Sequence, residues 1–186
     1  MSNDLSVRPR TCYLASVFMG FLMCLNASTH ARADGIEKAG DVLQIVLPAT
    51  AAGFTLVKWD GKGALQFGES AALTEGVTYG LKYTVDEKRP NGGSHSFPSG
   101  HTSISFCAAE FMRKRYGWEY GIPAYVAATF VGYSRVESRQ HYTWDAVAGG
   151  AIGIGSSYLF TRPYKSWQVQ IESDGRYYGV KLFHSW

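Results

Sequence analysis

The chain has 186 residues, 18 Lys and Arg against 15 Asp and Glu, and 46% apolar residues. That is enough for one packed domain and excludes wholesale disorder. A net charge of +3 is too small for a nucleic-acid surface, and three cysteines exclude a disulfide-rich scaffold.

The first segment reads as a targeting signal. Arg8 and Arg10 precede an uncharged stretch from Thr11 to Thr29, and Ala31-Arg32-Ala33 supplies small residues ahead of Asp34. A basic start, an apolar middle and an A-x-A site make a cleaved secretory signal over residues 1–33, rather than a retained anchor. Met23 before Cys24 is too large for a lipoprotein site. Cleavage takes away Arg8, Arg10, Arg32 and Asp4, leaving 153 residues at net +1 with Cys107 alone. Export without disulfides suits a bacterial periplasm.

Residues 34–164 read as a helical domain. Gly40–Val57 is apolar but interrupted by Pro48, which predicts two short helices or one kinked helix. Asp60–Gly63 reads as a loop, and Ala64–Thr84 as a helix weakened by three glycines. Arg89–Ser99, with two Pro and two Gly, reads as a loop. Ser99 can cap a helix running to Tyr116, with Gly117 as its stop. Two more helices are expected over Ile122–Glu137 and Tyr142–Phe160. The uncharged runs Val42–Val57, Gly121–Ser134 and Ala146–Thr161 have 16, 14 and 16 residues. Each falls short of the roughly 20 needed to span a bilayer, which predicts tightly packed, buried helices. Residues 165–186 alternate about Asp174-Gly175 as a β-hairpin does, and are expected to pack on the helices. The fold class is thus all-α: a compact bundle of five to six helices with a small C-terminal hairpin.

Three segments carry chemistry. Lys82 and Arg89-Pro90 flank a helix end, where an ammonium and a planar guanidinium can converge on one anion. Pro98-Ser99-Gly100-His101 opens a helix, whose exposed N–H groups attract anions; Gly100 permits close approach, Ser99 adds a donor and His101 can protonate a leaving group. Ser134-Arg135 precedes His141 and Asp145. These two meet at i,i+4 if the stretch is helical, and the carboxylate then frees one imidazole nitrogen to attack. Singly, these are solvated cations, a helix start and a surface pair. Together they hold an oxyanion, attack it and protonate what leaves. A metal site of His101, His141 and Asp145 is the competing account, but it gives no reason for three cations beside a metal.

The pattern K-x6-R-P, P-S-G-H and S-R-x5-H-x3-D, spanning Lys82 to Asp145, resembles the type 2 phosphatidic acid phosphatase (PAP2) superfamily, which includes class A acid phosphatases and vanadium haloperoxidases. The resemblance implies a helical bundle and metal-independent hydrolysis of a phosphate monoester or diphosphate, plausibly a membrane lipid phosphate. It implies His141 as nucleophile through a phosphohistidine, Asp145 orienting it and His101 as general acid. Lys82, Arg89, Ser99, Gly100 and Arg135 would bind the phosphoryl group. No cofactor is implied, and vanadate would be expected to occupy the phosphate site.

Two departures bear on substrate. Only Asn91–Phe97 separates Arg89-Pro90 from Pro98, too short for a large lid. The six long membrane helices of the lipid-phosphatase members are not expected either. The aromatic residues leave a peripheral membrane contact open, and no nucleic-acid partner is expected. His95, inside the short loop but outside the motif, reads as exposed rather than as a substrate contact. The alternatives are a vanadate-dependent haloperoxidase built on the same anion site and a non-catalytic binder of phosphorylated lipid. Retention of both histidines and Asp145 argues against the second.

Overall fold

A computed structural model describes the backbone of residues 29–164, 167–173 and 178–184, and side chains from Gly35 to Tyr164. The described residues form five α-helices: α1 (Thr29–Val57), α2 (Gly61–Val85), α3 (Gly100–Tyr116), α4 (Trp118–Glu137) and α5 (Thr143–Phe160). The all-α expectation is met. The expected signal segment lies outside the described residues up to position 28, and its last five residues begin α1.

Three boundaries differ from expectation. At Pro48 the single-helix alternative is found, but α1 starts at Thr29 rather than Gly40 and runs for 29 residues. Helix α2 starts at Gly61, not after a loop, because the Asp60 carboxylate accepts from the Gly63 amide at 2.9 Å and caps it. Helix α4 starts at Trp118, one residue after α3 ends, since Gly117 at φ 107° turns the chain in a single step.

Helix α3 is central and packs against the other four. Its core contacts are Phe111 on Phe67 at 4.9 Å between ring centroids, with Cys107, Ala108, Met112, Ala128 and Val131 around them. Small residues set the spacing. A Cβ at Gly153 would stand 2.1 Å from the Ser103 carbonyl oxygen, so α3 and α5 meet backbone to backbone.

That arrangement corrects the expectation of buried apolar helices. Beside a few large core residues, small residues fill much of the inside while many large ones face out: Ile45, Leu56, Ile122, Val126, Val147 and Leu159 are exposed. Within α1, the segment Gly35–Val57 holds an 18-residue window with a mean hydropathy of 1.4, of which only 22% is buried. By length and composition it is able to cross a membrane. The expectation had missed this because it counted only uncharged residues, while the helix also extends through Glu37, Lys38 and Asp41.

Because α2 and α3 run antiparallel, the start of α2 meets the end of α3. There Arg115 grips the Asp60 carboxylate through Nε at 2.7 Å and Nη2 at 2.5 Å, and the Tyr116 hydroxyl donates to Asp60 at 3.0 Å. At the opposite end, the last turn of α2 faces the first turn of α3. Beyond Tyr164, Trp167–Ser173 and Tyr178–His184 pair antiparallel, with Trp167 opposite His184. Residues 174–177 and the side chains of this tail lie outside the described residues, so its packing on the helices remains an expectation.

Candidate active site

The end of α2, the short loop after it and the start of α3 enclose a cavity of about 420 Å³. Lys82, Arg89, Gly100, His101 and His141 all line it, so five of the eight expected site residues converge. His95 lines it too, contrary to the expectation of simple exposure. Its positive φ of 54° turns the loop back, so that its carbonyl accepts from Lys82 Nζ at 2.9 Å. The Ser96 carbonyl accepts from the same ammonium at 3.3 Å. Arg89 donates to the Ser94 carbonyl and to Gln140 Oε1 at 3.1 and 3.0 Å. Both cations are therefore oriented by neutral oxygens, and among the described residues no carboxylate bonds to either directly.

His141 and Asp145 meet, but not as a helical pair. His141 precedes α5, and Asp145 occupies its third position, accepting from the Tyr142 amide at 2.9 Å. The capping geometry brings Asp145 Oδ2 to 3.4 Å from His141 Nδ1. Ser96 donates to the same carboxylate oxygen, and its Oγ lies 3.5 Å from His141 Nδ1. The Nδ1 side of the ring is thus occupied and Nε2 is the free nitrogen. Both residues are buried, their side chains 3% and 1% exposed. Ser96 went unnoticed in the sequence because it sits in a serine-rich loop, with no spacing to single it out.

Two expected phosphate contacts sit behind the cavity, not in its wall. Ser99 is fully buried; its hydroxyl accepts from Thr102 and its amide donates to the Asp145 carbonyl, so it ties α3 to α5. Arg135 is buried and engaged by α1. Its Nη1 reaches Asp41 Oδ1 at 2.8 Å and its Nη2 the Glu37 carbonyl at 2.7 Å. Asp41 Oδ1 also lies 3.2 Å from His101 Nε2. Gln140 donates to Glu37 Oε1 at 3.0 Å while accepting from Arg89. None of these α1 partners belongs to a motif. The only local signal was an acid at the edge of an apolar run.

Charge and burial tune the groups. Burial, together with Lys82 and Arg89, pushes the His141 imidazole down to about 4 against the pull of Asp145. It is therefore neutral at pH 7 and has a lone pair to use. Burial, Arg135 and Arg89 also lower His101, while Asp41 raises it. Burial and Arg89 lower Lys82, with Asp145 and Glu75 pulling the other way. Cations crowded until they disfavour one another are what an anion site looks like without its anion. Among the described residues no group of three or more His, Cys, Asp or Glu is arranged to hold a metal ion.

The model of the PAP2 superfamily matches residues 63–168. A Helicobacter pylori protein named lipid A 4'-phosphatase is 32% identical over 170 residues, covering 81% of this chain and 85% of the relative. A Porphyromonas gingivalis lipid A 1-phosphatase is 36% identical over 88 residues, covering 45% of this chain but 20% of the relative. The crystal structure of Aquifex aeolicus LpxE matches with a TM-score of 0.63 at 18% identity, covering 76% of this chain and 92% of that one, a likeness of fold.

Proposed function

The chain belongs to the PAP2 superfamily and is a phosphatase, and we propose that it removes a phosphate from a membrane lipid, with lipid A as the best-supported substrate. The observation that carries the chemistry is the convergence of Lys82, Arg89, Gly100, His101 and His141 on one cavity, with Asp145 behind His141. The observations that favour a lipid are the exposed apolar side chains of α1, α4 and α5, a surface suited to membrane contact. Similarity over most of the chain to a lipid A 4'-phosphatase favours that lipid and that position.

In the mechanism we infer, Lys82 and Arg89 hold the phosphoryl oxygens together with the amides at the start of α3. Gly100 lets the phosphate approach that backbone. His141 Nε2 attacks phosphorus while Asp145 and Ser96 hold the ring at Nδ1. The bond to the leaving oxygen breaks as His101 gives that oxygen a proton, and a phosphohistidine remains. Neutral His101 then takes a proton from water, which attacks phosphorus and releases His141. Arg135 acts one layer back, through Asp41 and His101. Export to the periplasm, with residues 1–33 as the signal, remains part of this reading.

The test is a substrate panel with the purified full chain in detergent. It compares lipid A, phosphatidic acid, an isoprenoid diphosphate and 4-nitrophenyl phosphate. The expected result is phosphate release from lipid A at the highest kcat/KM, with vanadate as a competitive inhibitor. Preference for the soluble ester, unaffected by detergent, would contradict the lipid assignment. Halide oxidation by peroxide after vanadate loading would contradict the hydrolytic one.

A further inference from the structure

Three histidines line the cavity; His95 sits 3.1 Å from Asp86, and the two motif histidines each have a carboxylate of their own. Asp145 Oδ2 faces Nδ1 of His141, and Asp41 Oδ1 faces Nε2 of His101 at 3.2 Å. The two pairs use opposite ring nitrogens. Nε2 is left for attack in His141, and Nδ1 is the nitrogen that Asp41 leaves unengaged in His101. We propose that Asp41 is a positioning residue for proton donation: it anchors His101 at Nε2, stabilises its imidazolium and presents the Nδ1 proton to the leaving-group oxygen. The proposal rests on the reading of His101 as general acid and adds the group that makes it one.

Three observations carry it. First, Asp41 Oδ1 also takes Arg135 Nη1 at 2.8 Å, so the carboxylate is fixed from a second direction. Second, α1 is held hard against α4 at this level. A Cβ at Gly40 would stand 1.9 Å from Ser134 Oγ and 2.9 Å from Arg135 Nη2, so only glycine lets the next residue sit here. Third, the surroundings otherwise disfavour a charged His101. Arg135 from α4 and Arg89 from the loop act against protonation, as does burial. Lys82 from α2 and His141 from the start of α5 line the same cavity. Of the acids, Glu75 from α2 lines the cavity, and Asp41 from α1 is the one that pairs with the His101 ring. A general acid amid these cations needs a carboxylate partner to keep its proton near neutral pH.

In the balanced step, the N–P bond forms at His141 Nε2 as the bond to the leaving oxygen breaks. The His101 Nδ1 proton goes to that oxygen, and Asp41 stays ionised throughout. Asp41 also braces Arg135, so a bracing role alone must be told apart from a role in proton donation. Leaving groups do this, because a good one departs without a proton.

The experiment measures kcat/KM for 4-nitrophenyl phosphate and for an alkyl phosphate, across pH, in wild type, Asp41→Asn, Asp41→Glu and His101→Ala. Thermal unfolding confirms that each variant folds. The expected result for Asp41→Asn is a loss of roughly 10- to 100-fold on the alkyl ester and under about threefold on the nitrophenyl ester. The alkaline limb of its pH profile should move to lower pH, and Asp41→Glu should recover part of the loss. Equal losses on both esters, or an unmoved limb, would overturn the proposal and leave Asp41 as a brace for Arg135. A gain on both would overturn it in favour of a carboxylate that competes with phosphate. If His101→Ala itself shows no leaving-group dependence, the general-acid reading fails first, and that failure is distinguishable because it does not involve Asp41.

Discussion

The two ends of the α2–α3 pair solve the same electrostatic problem in opposite ways. At the closed end, Arg115 is 5% exposed and meets the Asp60 carboxylate through two nitrogens, while the Arg162 carbonyl accepts from a third. At the open end, Lys82 and Arg89 meet only carbonyl and amide oxygens. Matched charge makes a structural clamp, because a buried cation with its carboxylate wants no further partner. Unmatched charge around a cavity makes a binding site, because the missing counter-charge has to come from a ligand. Of the acids at the open end, Asp145 is assigned to His141 and Asp41 to His101, while Glu75 lines the cavity and acts on Lys82 through space. Both histidines are thereby tuned while the phosphate-facing charge is left intact.

The comparison can be broken at either end. The largest effect is expected from His141→Ala. Activity should fall by on the order of 10³-fold or more, with the melting temperature little changed. Asp60→Ala should do the reverse. It removes the cap of α2 and strands a buried guanidinium, and chemical denaturation should show a loss of about 3–5 kcal/mol. Its kcat, measured where the protein stays folded, should hold. Lys82→Met comes next, with kcat/KM down about 100-fold and stability unchanged or raised, since an uncompensated charge is removed. Equal losses of stability at Lys82 and Asp60 would erase the distinction between the ends.

The dependence on pH sharpens the same contrast. His141 works as the neutral ring, so kcat/KM should rise as pH passes upward through about 4. His101 works as the protonated ring and its value lies below the usual 6.5, so activity should decline again as pH rises through that lowered value. An acidic optimum between these limits follows. At the closed end, burial pushes the Asp60 carboxyl up, but Arg115, the Gly63 amide and Tyr116 bring it below its ordinary value. The stability it contributes is present above the ordinary aspartate range and lost as pH falls through the lowered value. The smallest effect is at the surface. Leu56→Ser should change stability by less than about 0.5 kcal/mol, yet weaken binding to anionic vesicles in a flotation assay.

Much of the site was legible in the sequence because the motif residues bring their own local geometry. Gly100 and His101 face the cavity from a helix start, and Lys82 from a helix end. The His141–Asp145 pair was legible for a reason that turned out different. Spacing suggested a helical pair, whereas a capping aspartate makes the contact. The residues that escaped, Asp41, Glu37, Ser96 and Gln140, act across 45 or more positions and leave no periodic trace. Burial was misjudged for a related reason. An apolar run says that a helix avoids water, but not which face the bundle takes. Here glycine, alanine and serine take much of the inside because the backbones approach so closely, and many of the leucine, isoleucine and valine side chains are left outside.

The central claim is that the unmatched end turns over phosphate through His141. Rapid quench of the full chain with ³²P-labelled substrate tests it directly. The account predicts one acid-labile, base-stable label that maps to His141 in wild type, builds up when water attack is slowed, and is absent from His141→Ala. Phosphate release at the wild-type rate in that variant, or label on another residue, would contradict it.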